Sequence, residues 1–178
     1  MVNLLIGAAV VLGGLAAVVA LRPGDYRVAR SAQIGAAPAT VFAHINDLRK
    51  FNAWNPWAKL DPAARTTFDG PAEGVGAVMA WAGDRNVGEG RMTVIESRPH
   101  ELVRYRMEFL KPFAATATAE FTLSPAGAGA THVTWAMQGE NNFMAKAMHL
   151  VMNMDRMIGG QFEKGLAGLG AAAASTRS

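Results

Sequence analysis

The pattern of apolar and polar positions divides the chain into an apolar N-terminal stretch and a longer part with helix and strand periods. No residue from Leu4 to Leu21 has a polar side chain. Residues 26–34 then alternate with the period of two that is typical of a strand. Pro38 opens a helix whose apolar positions lie three and four residues apart, and a second short helix or turn follows over residues 47–53.

Further along, six runs alternate with the strand period and form a meander. They fall at residues 66–68, 75–81, 88–97, 101–110, 117–123 and 131–137. A long amphipathic helix is predicted from Asn142 to Leu169, because apolar residues recur there every three or four positions. One strong helix after a meander of strands indicates an α+β domain. Residues 171–178, with the sequence AAAASTRS, predict a disordered tail.

The apolar N-terminal stretch predicts a transmembrane helix. Residues 2–21 would extend about 30 Å as an α-helix, which matches the hydrocarbon thickness of a bilayer. A cleavable signal peptide is the alternative, with Val18-Val19-Ala20 as its cleavage site. Such a peptide would need a basic leading region and a shorter apolar run. We therefore expect an uncleaved anchor at residues 1–21, a linker at 22–25 and a domain at 26–170.

The residues in and after the span bear on its orientation and partners. Three arginines follow it between residues 22 and 30, and positive residues tend to stay on the cytoplasmic side. This favours a single-pass protein of the bacterial inner membrane type with its domain on the cytoplasmic side.

Ala9, Gly13 and Ala17 recur every four positions, a spacing that allows a weak homodimer. The abundance of Ala and Gly in the span explains that spacing equally well.

Composition excludes several kinds of function. Hydrophobic residues make up 51% of the chain, too many for a disordered protein, and charged residues make up 17%. The absence of cysteine excludes disulfides, thiolate metal sites and cysteine nucleophiles. The four histidines share no ligand spacing, so we expect no metal and no cofactor. The net charge of +3 comes partly from the arginines near the span, and no dense basic face predicts nucleic-acid binding.

Several short stretches together resemble one known family. These are Val28-Ala29-Arg30-Ser31, Ala37-Pro38-Ala39-Thr40-Val41-Phe42, Trp54-Asn55-Pro56-Trp57, Gly74-Val75-Gly76, Val133-Thr134-Trp135 and Asn153-Met154-Asp155. The chain resembles the bacterial SRPBCC proteins, of START-like or Bet v 1-like fold, that are often labelled polyketide cyclase. The resemblance implies a helix-grip fold, in which a curved antiparallel seven-stranded sheet surrounds a long C-terminal helix. That superfamily includes lipid carriers, hormone binders, cyclases and chaperone activators, so the resemblance alone does not fix an activity.

The resemblance also implies a cavity between the sheet and the helix, and the sequence offers a lining for it. The candidates are Trp54, Trp57, Met79, Trp81, Met92, Tyr105, Met107, Phe121, Trp135, Met137, Met144, Met148, Met152 and Asp155. Methionine is flexible and polarizable, which suits an apolar ligand of variable shape. The alternative is that these side chains form a solid core. Trp54 and Trp57 in particular would line the cavity mouth, meet the membrane interface or plug the core.

Asp155 is the most informative polar candidate, because the helical count places it within the apolar stripe, between Val151 and Ile158. A carboxylate in such a place must be paired, protonated or in contact with water. Asp155 is therefore either functional, as a ligand anchor or acid/base group, or structural, as a group that caps backbone amides or pairs with an arginine. Tyr105 is the other candidate for acid/base catalysis. No second catalytic group accompanies Asp155, which favours the structural role.

If the strand order is that of the family, the first strand begins at the same end as the loops at 83–87, 110–113 and 139–142. Only five residue steps separate Leu21 from Tyr26, at most about 18 Å. The cavity mouth would then lie near the bilayer, with Leu110, Pro112 and Phe113 as an apolar lip. We expect a membrane-anchored protein that binds a small hydrophobic, lipid- or polyketide-like ligand. The alternatives are a cyclase or aromatase, and a protein-interaction module with a filled core.

Overall fold

Seven strands and four helical segments make up the part of the chain that can be described. The computed structural model describes residues 13–14, 19–21, 24–140 and 153–176. The strands are β1 (Asp25–Ile34), β2 (Arg65–Asp69), β3 (Val78–Ala82), β4 (Glu89–Arg98), β5 (Leu102–Lys111), β6 (Ala115–Pro125) and β7 (Thr131–Glu140). The helices are α1 (Pro38–Asn46), α2 (Leu48–Trp54), a short 3-10 helix (Pro56–Lys59) and α3 (Met154–Ser175).

All seven strands form one antiparallel, curved sheet in the order β1-β7-β6-β5-β4-β3-β2. Each strand from β2 to β7 pairs with its neighbour in sequence, as expected of a meander. β1 alone pairs out of sequence, with Asp25 opposite Glu140 and Ile34 opposite Thr131. The predicted pairing of the first strand with the last is confirmed. This places the start of β1 at the same end of the sheet as the β3–β4 and β5–β6 loops, also as predicted.

The two short helices follow from local signals in the sequence. Pro38 occupies the first turn of α1, where its missing N–H leaves no hydrogen bond unmade. Asp47 ends that helix and caps the next, because its carboxylate accepts hydrogen bonds from the backbone amides of Arg49 (2.9 Å) and Lys50 (3.3 Å). Val41, Ile45 and the core-facing residues of α2 are buried against the sheet.

Helix α3 differs from the predicted closing helix at both ends. Asn153 is not helical and caps α3, its Oδ1 accepting a hydrogen bond from the Arg156 amide at 2.9 Å. A single continuous helix from Asn142 to Leu169 is therefore wrong. At the other end α3 continues to Ser175 with Ala173 fully buried, so the predicted tail is helical up to that residue. Alanine is the strongest helix former, which explains why the run continues.

Helix α3 packs against the concave face of the sheet, and the core lies between them. Phe162, Leu166 and Leu169 face the sheet, at the spacing of one helical stripe. The convex face carries charged pairs across neighbouring strands, such as Arg91 of β4 with Glu108 of β5 at 2.7 Å. The alternation predicted for the fifth strand, apolar inside and arginine outside, is confirmed by its burial pattern.

The predicted membrane span, residues 2–21, lies almost entirely outside the described residues. Within residues 13–14, 19–21, 24–140 and 153–176, no helix combines the length and apolar character needed to cross a membrane. Ala9 and Ala17, two of the three positions of the predicted homodimer spacing, also lie outside the described part of the chain.

Candidate ligand-binding cavity

A cavity of about 420 Å³ opens between the concave face of the sheet, helix α2 and helix α3. A water molecule occupies about 30 Å³ in the liquid, so this space far exceeds the small voids of an ordinary core. Its volume falls in the range of about 300–1,000 Å³ that is typical of small-molecule sites. The apolar residues of the sheet and the terminal helix therefore do not interlock into a solid core.

Most of the residues that the sequence predicts as lining do surround this cavity. They are Trp57, Met79, Trp81, Met92, Tyr105, Met107, Phe121, Trp135 and Met137, together with Pro112 and Phe113 from the predicted lip. Four methionines from four different strands contribute to the wall. Their flexible side chains allow the cavity to adapt to ligands of different shape.

Three predicted residues lie outside the lining: Trp54, Leu110 and Asp155. Trp54 is 3% exposed, and its indole Nε1 donates a hydrogen bond to the His44 carbonyl at 3.0 Å, so it plugs the core beneath the cavity. Leu110 projects from the end of β5 with 53% of its surface exposed. Met144, Met148 and Met152 fall outside the described residues.

Asp155 does not face the cavity, and the expectation that it lies within the apolar stripe is wrong. It stands in the first turn of α3 with its side chain 62% exposed. Arg30 of β1 donates to both of its carboxylate oxygens, at 3.2 Å and 3.0 Å, and also to Glu163 at 2.9 Å. The hydrogen bonds from Arg30 lower the pKa of Asp155. The pairing with an arginine is thus the role that the structure shows, and it joins α3 to the edge of the sheet.

The hydroxyl of Tyr105, the other candidate for acid/base chemistry, is committed to the fold. It donates a hydrogen bond to the carbonyl of Ile45 at 2.8 Å. Burial raises the pKa of Tyr105 well above its ordinary value, since the phenolate would lose its hydration. The ring of Tyr105 borders the cavity, while its proton is held by the end of α1.

An aromatic stack forms the wall where α3 meets the sheet. The rings of Trp135 and Phe162 stack with their centroids 4.3 Å apart and their planes at 11°. Phe121 lies 4.6 Å from Trp135 on the sheet side, and Trp57 meets Trp135 edge-on at 5.8 Å. A Cβ at Gly165 would come within 2.5 Å of Cζ3 of Trp135. Glycine at this position therefore lets the indole lie directly against the helix.

Several lining residues were not predicted as such. Tyr26 lies on the inner face of β1 together with Val28, and burial raises the pKa of its hydroxyl. The alternation of β1 is a signal that would have found it. Ala119 lies between Tyr105 and Met137 on the inner face of β6. Its small size leaves space for the cavity, a role that hydrophobic periodicity does not reveal.

The mouth of the cavity is formed by loops at the end of the sheet where β1 begins. Residues 85–88 of the β3–β4 loop and residues 111–113 of the β5–β6 loop line it. Phe113 is 60% exposed there, beside the exposed Leu110. The mouth is thus partly apolar at its edge, and its charged lining residues are Arg85, Lys111 and Glu140.

Comparison with known proteins places this cavity in a known architecture. The family described as "Polyketide cyclase / dehydrase and lipid transport" matches residues 25–174. The aromatase/cyclase ZhuI of Streptomyces sp. R1128 superimposes with a TM-score of 0.60 at 13% identity, covering 86% of this chain and 96% of its own. A norcoclaurine synthase mutant of Thalictrum flavum, in complex with a transition-state analogue, gives 0.64 at 10% identity, with 89% and 99% covered.

A third solved structure has the same fold. Protein CV1439 of Chromobacterium violaceum superimposes with a TM-score of 0.58 at 17% identity, covering 85% of this chain and 98% of its own. At these identities the structures share the fold alone. No curated protein matches the chain.

Proposed function

Because the chain belongs to the polyketide cyclase / dehydrase and lipid transport family, we propose that it binds a small hydrophobic ligand in the cavity between the sheet and α3. The observation that carries the proposal is the cavity of about 420 Å³ with its methionine and aromatic lining. A protein-interaction module with a filled core does not fit such a space. The aromatic stack around Trp135 supports the proposal, since it gives the cavity an apolar wall where the helix joins the sheet.

The lining sets a lower limit on the ligand. Burial of one CH₂ group is worth about 0.8 kcal/mol, and association costs at least about 4 kcal/mol of lost translational and rotational freedom. A purely apolar ligand therefore needs more than about five buried carbons to bind at all. A lipid chain or a polyketide-like skeleton exceeds that limit, whereas an apolar compound of about four carbons or fewer does not.

A cyclase-like activity is the second candidate function. It is supported by the family and by Tyr26, whose ring borders the cavity and whose hydroxyl would lie 3.1 Å from a Cβ on Gly139. Burial raises the pKa of Tyr26, so its hydroxyl stays a neutral phenol at neutral pH and would act on a ligand carbonyl by donating a hydrogen bond rather than as a strong acid. Turnover that is lost in Tyr26→Phe while ligand affinity is kept would favour this second function.

The proposal includes a membrane anchor formed by residues 2–21, with the domain on the cytoplasmic side. It is supported by the apolar sequence and by the start of β1 at the mouth end of the sheet. In this arrangement Leu110, Pro112 and Phe113 dip into the bilayer, and the ligand enters directly from it. Spin labels at Phe113 and at Ala126, in the turn at the opposite end, test this in liposomes. Equal water exposure of the two labels would reject it.

Ligand binding is tested by native mass spectrometry of the detergent-extracted full-length protein. We expect an apolar molecule to copurify with the wild type and to be absent from Ala119→Trp, because the indole would fill the cavity from the inner face of β6. Thr122→Trp, on the exposed face of the same strand, is the matched control and should retain the molecule. A wild-type protein that carries no ligand and binds no added hydrophobic probe would refute the proposal.

A further inference from the structure

The charged end of an ionised ligand in this cavity has to lie at the mouth. Among the described residues, the charged side chains of the lining are Arg85, Lys111 and Glu140, which all lie at that end, whereas the Tyr105 hydroxyl inside donates to a backbone carbonyl. Within the described part of the chain, no buried side-chain nitrogen or oxygen lacks a hydrogen-bond partner. An ionised ligand group therefore finds no charged partner among the described residues in the depth of the cavity, and a buried charge without a partner is costly.

The charged groups at the mouth are not equivalent. Lys111 is paired with Glu89 at 2.6 Å, which neutralises it locally. Glu140 ends β7, and two strands, β6 and β5, separate it from the β3–β4 hairpin in the sheet order. Arg85, at the tip of the β3–β4 loop, lies within 4 Å of no carboxylate among the described residues. Among the described residues, Arg85 is thus the cation of the mouth that is available to a ligand.

The loop that carries Arg85 is held firmly by hydrogen bonds. The Asp84 carboxylate accepts from the amides of Asn86 (2.7 Å) and Val87 (3.3 Å), and the Asp84 carbonyl accepts from Gly88 at 2.7 Å. Asp61 in turn accepts from the Asp84 amide at 2.8 Å. The carboxylates of Asp84 and Asp61 therefore both accept hydrogen bonds from backbone amides. These bonds fix the turn that carries Arg85, whose side chain contributes to the lining of the cavity.

We propose that the ligand is an amphipathic acid, whose carboxylate binds Arg85 at the mouth while its apolar part fills the cavity. This inference rests on the proposed function, because it specifies the ligand of the same cavity. A guanidinium binds a carboxylate through two parallel N–H···O bonds, which fixes the orientation of the acid as well as its charge. The acidic end then remains at the mouth, and the apolar end reaches the aromatic stack of Trp135 and Phe162.

The test compares an acid with its neutral ester on the full-length protein in non-ionic detergent at pH 8. The probes are cis-parinaric acid, whose fluorescence rises in apolar surroundings, and its methyl ester. We expect Arg85→Gln to weaken binding of the acid about tenfold, as the loss of a charge-assisted hydrogen bond does, and to leave the ester unchanged. Arg85→Lys keeps the positive charge but lacks the two parallel N–H donors of the guanidinium, so it should weaken binding of the acid less than Arg85→Gln does. Arg106→Gln, an equal charge change on the convex face of β5, should change neither affinity.

The outcomes separate this inference from the proposed function. Equal affinity of the wild type for acid and ester, or equal weakening of both by Arg85→Gln, would overturn the acidic ligand and leave the hydrophobic cavity in place. A similar loss with Arg106→Gln would assign the effect to net charge and would also overturn it. If the wild type binds neither probe, the proposed function itself fails, and the inference fails with it.

Discussion

Removal of the Phe162 ring tests whether the aromatic stack supports both the fold and the cavity. Phe162 is 1% exposed and joins α3 to the sheet through its stack with Trp135, while Trp57 meets it edge-on at 6.0 Å. Phe162→Ala would remove the contact between helix and sheet at the level of the cavity. It would also enlarge a space of about 420 Å³ that is already open.

The expected loss follows from the environment of the ring. A Phe→Ala substitution in a core costs about 3–5 kcal/mol in the free energy of unfolding, of which the stacked geometry contributes about 0.5–1.5 kcal/mol. Phe162 also lines the cavity, so part of the space that its ring vacates joins an opening that already exists, and less new cavity is created. We therefore expect the lower end, about 3 kcal/mol. A domain with an unfolding free energy of about 5–15 kcal/mol would remain folded after this loss, but at the lower end of that range little stability would be left.

The assay is unfolding in urea, followed by circular dichroism and extrapolated linearly to water. Phe113→Ala is the matched control, because the same ring is 60% exposed at the mouth and its removal should change stability by no more than about 0.5 kcal/mol. If Phe162→Ala lost less than about 1 kcal/mol, the ring would not be a supporting element of the core. The argument that the stack supports the wall of the cavity would then be refuted.

Three further substitutions test other parts of the site. Arg30 lowers the pKa of Asp155, so the ion pair stabilises the fold at pH values above the ordinary carboxyl pKa and loses this effect as the pH falls. The free energy of unfolding of Asp155→Asn should therefore depend less on pH on the acid side, while its affinity for a ligand probe should be unchanged. Tyr105→Phe leaves a buried carbonyl without its donor and should cost about 1–3 kcal/mol in urea unfolding. In Gly90→Ala, the new Cβ would lie 2.6 Å from the Trp81 ring and 2.6 Å from a backbone oxygen. This clash should lower the free energy of unfolding by about 1–3 kcal/mol and shift the tryptophan fluorescence. Unchanged stability and an unchanged spectrum would contradict this prediction.

The sheet could be predicted from the sequence because its signal is local and repeated. Each strand alternates with a period of two, and a slip of one residue would turn all of its apolar side chains outward. β5 illustrates this: Val103 and Tyr105 face the core, while Arg104 and Arg106 lie on the convex face. Trp135 and Met137 of β7 lie on the inner face for the same reason. The face on which a side chain lies is therefore a reliable prediction wherever a strand is long.

The position of Asp155 could not be predicted, because it depends on where a helix begins. Helical periodicity gives the angle between residues only within one uninterrupted helix. Asn153 ends that continuity as the cap of α3, and Asp155 then falls in an exposed first turn. Asparagine is a preferred cap, but the apolar pattern on both sides concealed it. The pairing with Arg30 also required the sheet edge and the helix to meet, which is a tertiary relation absent from either segment alone.

The energetic cost of the cavity bears on whether it is normally empty. An enclosed apolar space costs about 24 cal/mol per Å³ in core substitutions, so each 100 Å³ or so that water does not fill would cost about 2 kcal/mol. That is a substantial part of the stability of a domain, which is about 5–15 kcal/mol. Part of the space is open at the mouth, and water relieves that part, but the depth around Trp135 and Met92 offers water few partners. A ligand that fills the depth restores the lost contacts and stabilises the folded state in proportion to its occupancy. The shape of the fold and its stability therefore both favour an occupied cavity.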